Sequence, residues 1–358
     1  MKKKILFVAY AIYGGGSENR LMTILRGLDR AKIEPHLCVL NTTGREAEVV
    51  PKDIPVYPLR TALRPASLFL VWKLFWLLRE LKPDKVFSVL WSVNIISALA
   101  ARAAGIPVIL NEATTASESI KRYSFPALRK RLISALYKGA ETVVAVSDFT
   151  KADLTANFGI PAEKIVTVRS AVPAGRIAQQ AAAYKPGQEG YVLGCGGLNW
   201  WKNYSLLIKG MRGQPDTRLI ILGKGPMKDR LLEEAGEAGV SLDLPGHIDN
   251  PYPYFKQASV FVLTSFYEGF PNVILEAMAC GTPVIAVDCP GGIREVITHG
   301  ETGLIVPVDS PEALGAAIKK ILGDRALAGK LSSSAAANIN KNFSLEAMVL
   351  GYEKVLAG

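Results

Sequence analysis

At 358 residues the chain exceeds what one hydrophobic core usually fills, so two domains of roughly 170 residues are expected, and a 49% hydrophobic content suits two buried sheets. The formal charge of +10 lies in the first half: residues 1–172 hold 25 Lys and Arg against 14 Asp and Glu, whereas residues 173–358 hold 17 against 18. Such a basic half fits an anionic membrane or an acidic glycan, and no recognisable motif supports nucleic acid as a partner.

The chain starts with a basic cluster and an apolar run too short for a signal peptide, so a cytoplasmic location is expected. Lys4–Ala9 reads as a strand. After it, Gly14, Gly15 and Gly16 let backbone approach an anion, and Ser17 can cap the following helix. A nicotinamide fingerprint needs Gly-x-Gly-x-x-Gly and an acid closing the next strand; that strand ends at Asn41, so a dehydrogenase is disfavoured. Further strands are expected at Glu34–Leu40, Val56–Leu59, Lys85–Leu90, Pro107–Glu112, Glu141–Ser147 and Lys164–Arg169. Alternating with helical stretches, they make the pattern of a parallel sheet with crossover helices. Ser67–Leu78 is apolar nearly all round, too short to span a bilayer and interrupted by Lys73, and is expected to be buried. Ile120–Tyr137 intersperses Lys121, Arg122, Arg129, Lys130 and Arg131 with aromatic and aliphatic residues. That is the composition of an interfacial helix on an anionic membrane and equally of a solvated basic face.

Val172–Gly190 is rich in Ala, Gln, Pro and Gly, which divides the chain into a first domain at 1–172, a linker at 173–190 and a second domain at 191–358. Strands are expected there at Tyr191–Gly196, Arg218–Gly223, Ser241–Leu244, Ser259–Ser265 and Pro283–Asp288. Doubly wound sheets bind ligands beyond the carboxyl ends of their strands. Gly196-Gly197-Leu-Asn-Trp-Trp-Lys202, Gly223-Lys-Gly and Cys289–Glu295 all fall at such ends, and Lys202 can reach a diphosphate. Between Glu268 and Glu276 the chain reads Glu-Gly-Phe-Pro-Asn-Val-Ile-Leu-Glu. Pro271 suits a first helical position, leaving Glu268 in the preceding loop and Glu276 about one turn inside. Free amides at a helix mouth favour an anion and two carboxylates can hold hydroxyls, a combination that suits a sugar nucleotide. Paired carboxylates also suit a glycosidase, but hydrolysis needs no set of phosphate-friendly glycine loops. Neither the histidines (His36, His247, His299) nor the cysteines (Cys38, Cys195, Cys280, Cys289) have metal-ligand spacing; the thiols are expected to be reduced. Leu345–Leu356 has helical spacing and can pack on either domain.

The chain resembles the retaining glycosyltransferases of family 4, over nearly its whole length and most strongly from Leu219 to Pro307. The motifs that carry this are Glu268-x7-Glu276 with Gly-Phe-Pro-Asn inside, Ala277-Met-Ala-Cys-Gly-Thr-Pro-Val284, Gly291-Gly-Ile-Arg-Glu295, Gly15-Gly-Ser-Glu18 and Val146-Ser-Asp148. The resemblance implies an α/β GT-B architecture: two doubly wound parallel-sheet domains facing each other across a cleft, the first for an acceptor and the second for a nucleotide sugar. It implies transfer with retention of anomeric configuration and no metal or other cofactor. The implied donor is a UDP-hexose or UDP-N-acetylhexosamine. The implied acceptor is a lipid-linked or cell-surface glycan at the inner face of the cell membrane, as in polysaccharide or lipopolysaccharide assembly. By the same resemblance Glu276 binds ribose hydroxyls and Glu268 faces the hexose. Amides around Phe270, Pro271 and Asn272 meet hexose and phosphates, with Gly196, Gly197 and Gly223 in the donor site. Lys202 and the amides near Gly15 and Gly16 offset charge on the departing diphosphate.

Three departures qualify the match. The family commonly has Gly-Arg-Leu where this chain has Gly196-Gly197-Leu198. Many members carry a histidine where Asn111-Glu112 stands here, which makes Glu112 a candidate acceptor contact. Ser170-Ala-Val-Pro173 replaces the usual junction sequence. The lost arginine and histidine leave a second reading open, a sugar-nucleotide-binding regulatory protein without transferase activity. Trp200 and Trp201 can stack on a sugar or pack against the linker.

Overall fold

The computed structural model describes residues 2–12, 15–42, 49–59, 66–187, 189–214 and 216–358; Gly14 of the early glycine run lies outside them. The chain divides into two compact units, one running to Ser170 and taking in Glu346–Gly358, the other spanning Ala171–Leu345.

Among the described residues, the first unit holds a parallel sheet in the order β3-β2-β1-β4-β5-β6-β7. Its strands are β1 (Lys3–Ala9), β2 (Ile33–Val39), β3 (Val56–Pro58), β4 (Lys85–Val89), β5 (Val108–Glu112), β6 (Thr142–Ala145) and β7 (Ile165–Thr167). Crossover helices cover both faces of such a sheet, so its central strands are apolar runs with no polar side; β4 and β5 are buried at every residue. The helices are α1 (Gly16–Gly27), α2 (Ala66–Leu81), α3 (Trp91–Ala104), α4 (Ala116–Ile120), α5 (Pro126–Lys138) and α6 (Asp148–Phe158). Ser147 of the Val-Ser-Asp motif caps α6, its hydroxyl accepting from the Thr150 amide at 2.9 Å. α3 packs between α2 and α5, and Leu70, Leu74 and Leu78 of α2 enter the core.

The second unit has its own parallel sheet, ordered β10-β9-β8-β11-β12-β13. The strands are β8 (Val192–Cys195), β9 (Leu219–Leu222), β10 (Leu242–Gly246), β11 (Val260–Leu263), β12 (Val284–Val287) and β13 (Leu304–Val306). The sequence reading has no counterpart to β13, because the apolar run Leu304–Val306 is shorter than the runs that mark a strand. Its helices are α7 (Ala174–Gln180), α8 (Tyr204–Gly210), α9 (Lys228–Ala238), α10 (Tyr252–Gln257), α11 (Asn272–Ala279), α12 (Ile293–Val296), α13 (Pro311–Gly323) and α14 (Arg325–Asn342). The stretch 173–190, expected as a linker, is built into this unit. It carries α7, which packs on α11, and the Tyr184 hydroxyl donates to the Asn250 carbonyl at 2.8 Å.

The last helix, α15 (Leu345–Ala357), belongs to the first unit. Its Tyr352 hydroxyl donates to Asn111 Oδ1 at 3.0 Å and accepts from the buried Arg20 guanidinium, which also donates to the Val168 carbonyl. Glu353 accepts from the Asp29 amide at 2.7 Å. Gly27 makes this docking possible: a Cβ there would lie 2.5 Å from a Val349 methyl.

In each sheet the strand order reverses once, beside the first strand of the unit. Ligands gather at such points because the loops diverge there and leave a crevice. In the second unit the reversal lies between β8 and β11.

Candidate functional site

Two loops meet at the β8/β11 crevice. After β8 the chain turns through Gly196, at φ +146°, into a short 3-10 turn, Trp200–Lys202. After β11 it runs through Thr264 and Ser265 to Glu268. The Thr264 hydroxyl donates to the Lys202 carbonyl at 2.9 Å, and the Phe266 amide to the Trp201 carbonyl at 2.8 Å. These bonds bring the Lys202 ammonium to 2.7 Å from Glu268 Oε1, with both side chains mostly covered, 17% and 15% exposed. The Ser265 hydroxyl donates to the same oxygen at 2.7 Å. An ion pair this shielded from water holds its geometry far better than an exposed one.

The loop after β12 grips Glu268 from behind. Its amide donates to the Pro290 carbonyl at 2.9 Å, and the Gly292 amide donates to the Gly269 carbonyl at 3.1 Å. Gly291 sits at φ +141°, where a Cβ would fall 2.4 Å from the Glu268 carbonyl oxygen. Arg294 braces the loop through two bonds to Asp288 at 2.9 and 2.6 Å. The Gly-Gly-Ile-Arg motif is thus a clamp on the Glu268 backbone.

Pro271 is the N-cap of α11 rather than its first residue, one position earlier than expected, and Asn272 opens the helix. Phe270 is buried and its ring packs on Phe343 at 5.9 Å, so this side chain anchors the loop. Glu276 lies one turn into α11, partly covered, and burial pushes its carboxyl up to about 7. Burial first, and then the Glu276 charge, raise the Cys195 thiol at the end of β8 and the Tyr252 hydroxyl, so all three share one environment.

The strand-end glycines have a structural purpose of their own. A Cβ on Gly223 would lie 1.9 Å from the Gly196 carbonyl oxygen, and one on Gly225 2.4 Å from that of Leu198. The loops after β8 and β9 cross there, with the Leu198 amide donating to the Lys224 carbonyl at 2.9 Å. Gly223 therefore lets the loops cross. A Cβ on Gly197 would meet Asn199 Nδ2 at 2.6 Å, so the Asn199 side chain takes up the space beside position 197. Under Gly196 the buried Tyr204 hydroxyl has no hydrogen-bond partner among the described residues. Trp200 packs against Phe266 and Tyr267.

Sequence reasoning passed over Ser265, Thr264 and Tyr204. The first two follow directly on a strand end, the signal that pointed to Lys202; Tyr204 is the first residue of α8, and nothing local in the sequence marks its burial.

In the first unit the expectations for Glu112 and Gly15 change. Glu112 is fully buried: the Tyr137 hydroxyl donates to Oε2 at 2.7 Å and the Thr114 hydroxyl to Oε1 at 2.9 Å. Burial raises its carboxyl to about 7 against the pull of these bonds, and it braces β5 rather than meeting an acceptor. The Gly15 amide is taken by Glu18 of its own helix at 2.6 Å, so it is not directed at a phosphate. Gly16, also assigned to phosphate, opens α1, a helix N-terminus of the kind that favours an anion, so that expectation is unaltered. Of the five basic residues after Ile120, Lys121 pairs with Glu118 at 2.6 Å, and the Arg129 guanidinium lies over both the Trp91 and the Tyr123 rings. Arg122, Lys130 and Arg131 are exposed. No group of metal-ligating side chains comes together among the described residues.

Residues 176–338 match the family model for glycosyl transferases group 1, and residues 14–176 match that for glycosyltransferase family 4. One relative is the N-acetylgalactosamine-N,N'-diacetylbacillosaminyl-diphospho-undecaprenol 4-alpha-N-acetylgalactosaminyltransferase of Campylobacter jejuni. It is 33% identical over 340 residues, 90% of this chain and 91% of its own length. The O-antigen chain mannosyltransferase B of Escherichia coli is 31% identical over 57% of this chain and 56% of its own. Among solved structures, Anabaena HepE in complex with UDP-glucose superposes with a TM-score of 0.83 at 22% identity, over 99% of both chains.

Proposed function

The chain belongs to glycosyltransferase family 4 and has the GT-B fold, and from that premise we propose that it is a retaining hexosyltransferase using a UDP-sugar donor and a lipid-linked glycan acceptor. The observation that carries the donor end is the Lys202–Glu268 pair, held at 2.7 Å in the crevice beyond β8 and β11. As the bond from sugar to diphosphate breaks, negative charge builds on the leaving phosphate oxygen. An ammonium fixed beforehand stabilises that charge without reorganising, which is the largest single effect such a site supplies. Glu268 holds the Lys202 ammonium in place and offers its second oxygen to a hexose hydroxyl. Glu276, one turn along α11, receives the ribose diol.

Retention follows from attack on the face that the leaving group vacates. The name of the Campylobacter relative specifies an α linkage and an undecaprenyl diphosphate acceptor, and HepE was solved with UDP-glucose; both support this reading. With Lys202 supplying the cationic charge, the reaction is assigned no metal, and its place of work is the cytoplasmic face of the cell membrane.

The test is transfer from a panel of labelled UDP-, GDP- and ADP-sugars to undecaprenyl diphosphate-linked acceptors, with and without EDTA. Transfer from a UDP-sugar that survives EDTA, with the anomeric configuration kept in the product, is expected. Tight nucleotide binding with no transfer to any acceptor would favour a regulatory binding protein instead, and an inverted product would refute the retaining assignment.

A further inference from the structure

The outer surface of α2, α3 and α5 takes no part in the transfer chemistry. α2 buries Leu70, Leu74 and Leu78, and on its opposite side it exposes Leu68, Trp72 and Trp76, which are 69%, 55% and 55% exposed. A four-residue step stacks these three in one outward stripe. The expectation that this helix is simply buried therefore holds for one seam only. Phe69 stacks on Trp72 with the Lys73 ammonium 5.0 Å over its ring, and Phe75 meets Trp76 edge-on, so both indoles are braced while facing water.

The neighbouring helices extend the stripe. Leu99 of α3 and Leu128 and Leu132 of α5 are exposed. Phe125, at the turn into α5, is 75% exposed and held at φ +57°, a left-handed conformation that costs a non-glycine residue free energy. Arg122, Lys130 and Arg131 stand exposed in the same α4–α5 segment.

We propose that this face docks on an anionic lipid bilayer, with Trp72, Trp76 and Phe125 entering the headgroup boundary and the cations meeting lipid phosphates. Indole suits this boundary because its large apolar ring carries one polar N–H. Charge selects the occupant. A second copy of the chain would cover the apolar stripe but oppose like cations, whereas an anionic surface satisfies both. Insertion across the bilayer is not the mode, since no described helix is long and apolar enough to cross a membrane. The inference rests on the surface itself; the lipid-linked acceptor reading supplies only its use, bringing the enzyme to its substrate.

The experiment is flotation of the full chain with phosphatidylcholine vesicles, with and without roughly a third phosphatidylglycerol. The chain is expected to float with the anionic vesicles and to be released by salt. The pair Trp72→Ser and Trp76→Ser lowers the bound fraction about tenfold or more, and Lys130→Gln with Arg131→Gln lowers it roughly fivefold for each charge removed. Brominated lipids quench the tryptophan emission of the unaltered protein, and Trp72→Phe with Trp76→Phe, which keeps the packing, abolishes that quenching. UDP calorimetry on the same variants reads the donor site separately and stays unchanged. Absence of flotation, or flotation and quenching indifferent to these substitutions, would overturn the proposal. So would a dimer that the Trp72→Ser and Trp76→Ser pair converts to monomer, since the face would then be covered by a second copy.

Discussion

Glu276→Gln separates the burial of the Glu276 carboxyl from its use. Burial raises that carboxyl from 4.5 to about 7. A shift of about 2.5 units at 1.36 kcal/mol per unit corresponds to about 3 kcal/mol, an upper bound because the side chain keeps some contact with solvent. Below pH 4.5 the carboxyl is protonated in folded and unfolded chain alike and the penalty is absent. Between pH 4.5 and 7 the unfolded chain loses its proton while the folded one keeps it, so stability falls as pH rises and then levels off. The glutamine variant has no such proton. At pH 8 it is expected to be more stable than the unaltered protein by up to about 3 kcal/mol, roughly 6–12 °C in the melting of a unit this size, and equal to it near pH 4. Nucleotide binding runs the other way. Two ribose hydroxyls donating to Glu276 favour its ionised form, so UDP affinity rises with pH up to about 7 and binding at pH 6 releases a proton. In Glu276→Gln affinity is at least about tenfold weaker and independent of pH over this range. Thermal melts at the two pH values, with calorimetry in buffers of different ionisation enthalpy, measure both effects. Equal melting differences at pH 4 and pH 8, or UDP binding untouched by the substitution, would refute the reasoning.

Glu268→Gln leaves Lys202 without its anchor and is expected to lower kcat about 10²–10³-fold with little change in UDP affinity; steady-state kinetics alongside calorimetry would show it. Gly223→Ala forces a Cβ to within 1.9 Å of the Gly196 carbonyl oxygen at φ +151°. It should destabilise the second unit by about 3–5 kcal/mol in urea unfolding. Tyr137→Phe removes a donor from the buried Glu112 carboxylate and costs about 1–3 kcal/mol. The bond favours the ionised form, so the loss should be larger at pH 8 than at pH 5 in thermal melts.

Much of this protein is legible along the chain. The strands expected at Lys4–Ala9, Lys85–Leu90 and Pro283–Asp288 each match an observed strand to within a residue at either end. Buried parallel strands are unbroken apolar runs, and glycine turns mark their ends. The rule that ligands gather beyond strand ends picks out Lys202, and two carboxylates bracketing a helix mouth pick out the Glu268 loop. Gly223 shows where that rule stops. A glycine at a strand end serves a bound phosphate or a crossing backbone equally well, and only the Gly196 carbonyl against it tells which.

The sequence by itself determined most of the individual strands, the helix that starts near Pro271 and the one-turn offset of Glu276, because each depends on residues close together in the chain. Tertiary structure alone decided that Lys202 and Glu268, 66 positions apart, share one hydrogen bond. It also decided that Glu112 is enclosed by Tyr137 and Thr114, and that Trp72 and Trp76 face water while Leu70, Leu74 and Leu78 do not. A helix apolar on every side has no periodicity to say which seam the core will take, and a carboxylate's neighbours are set by how distant loops meet.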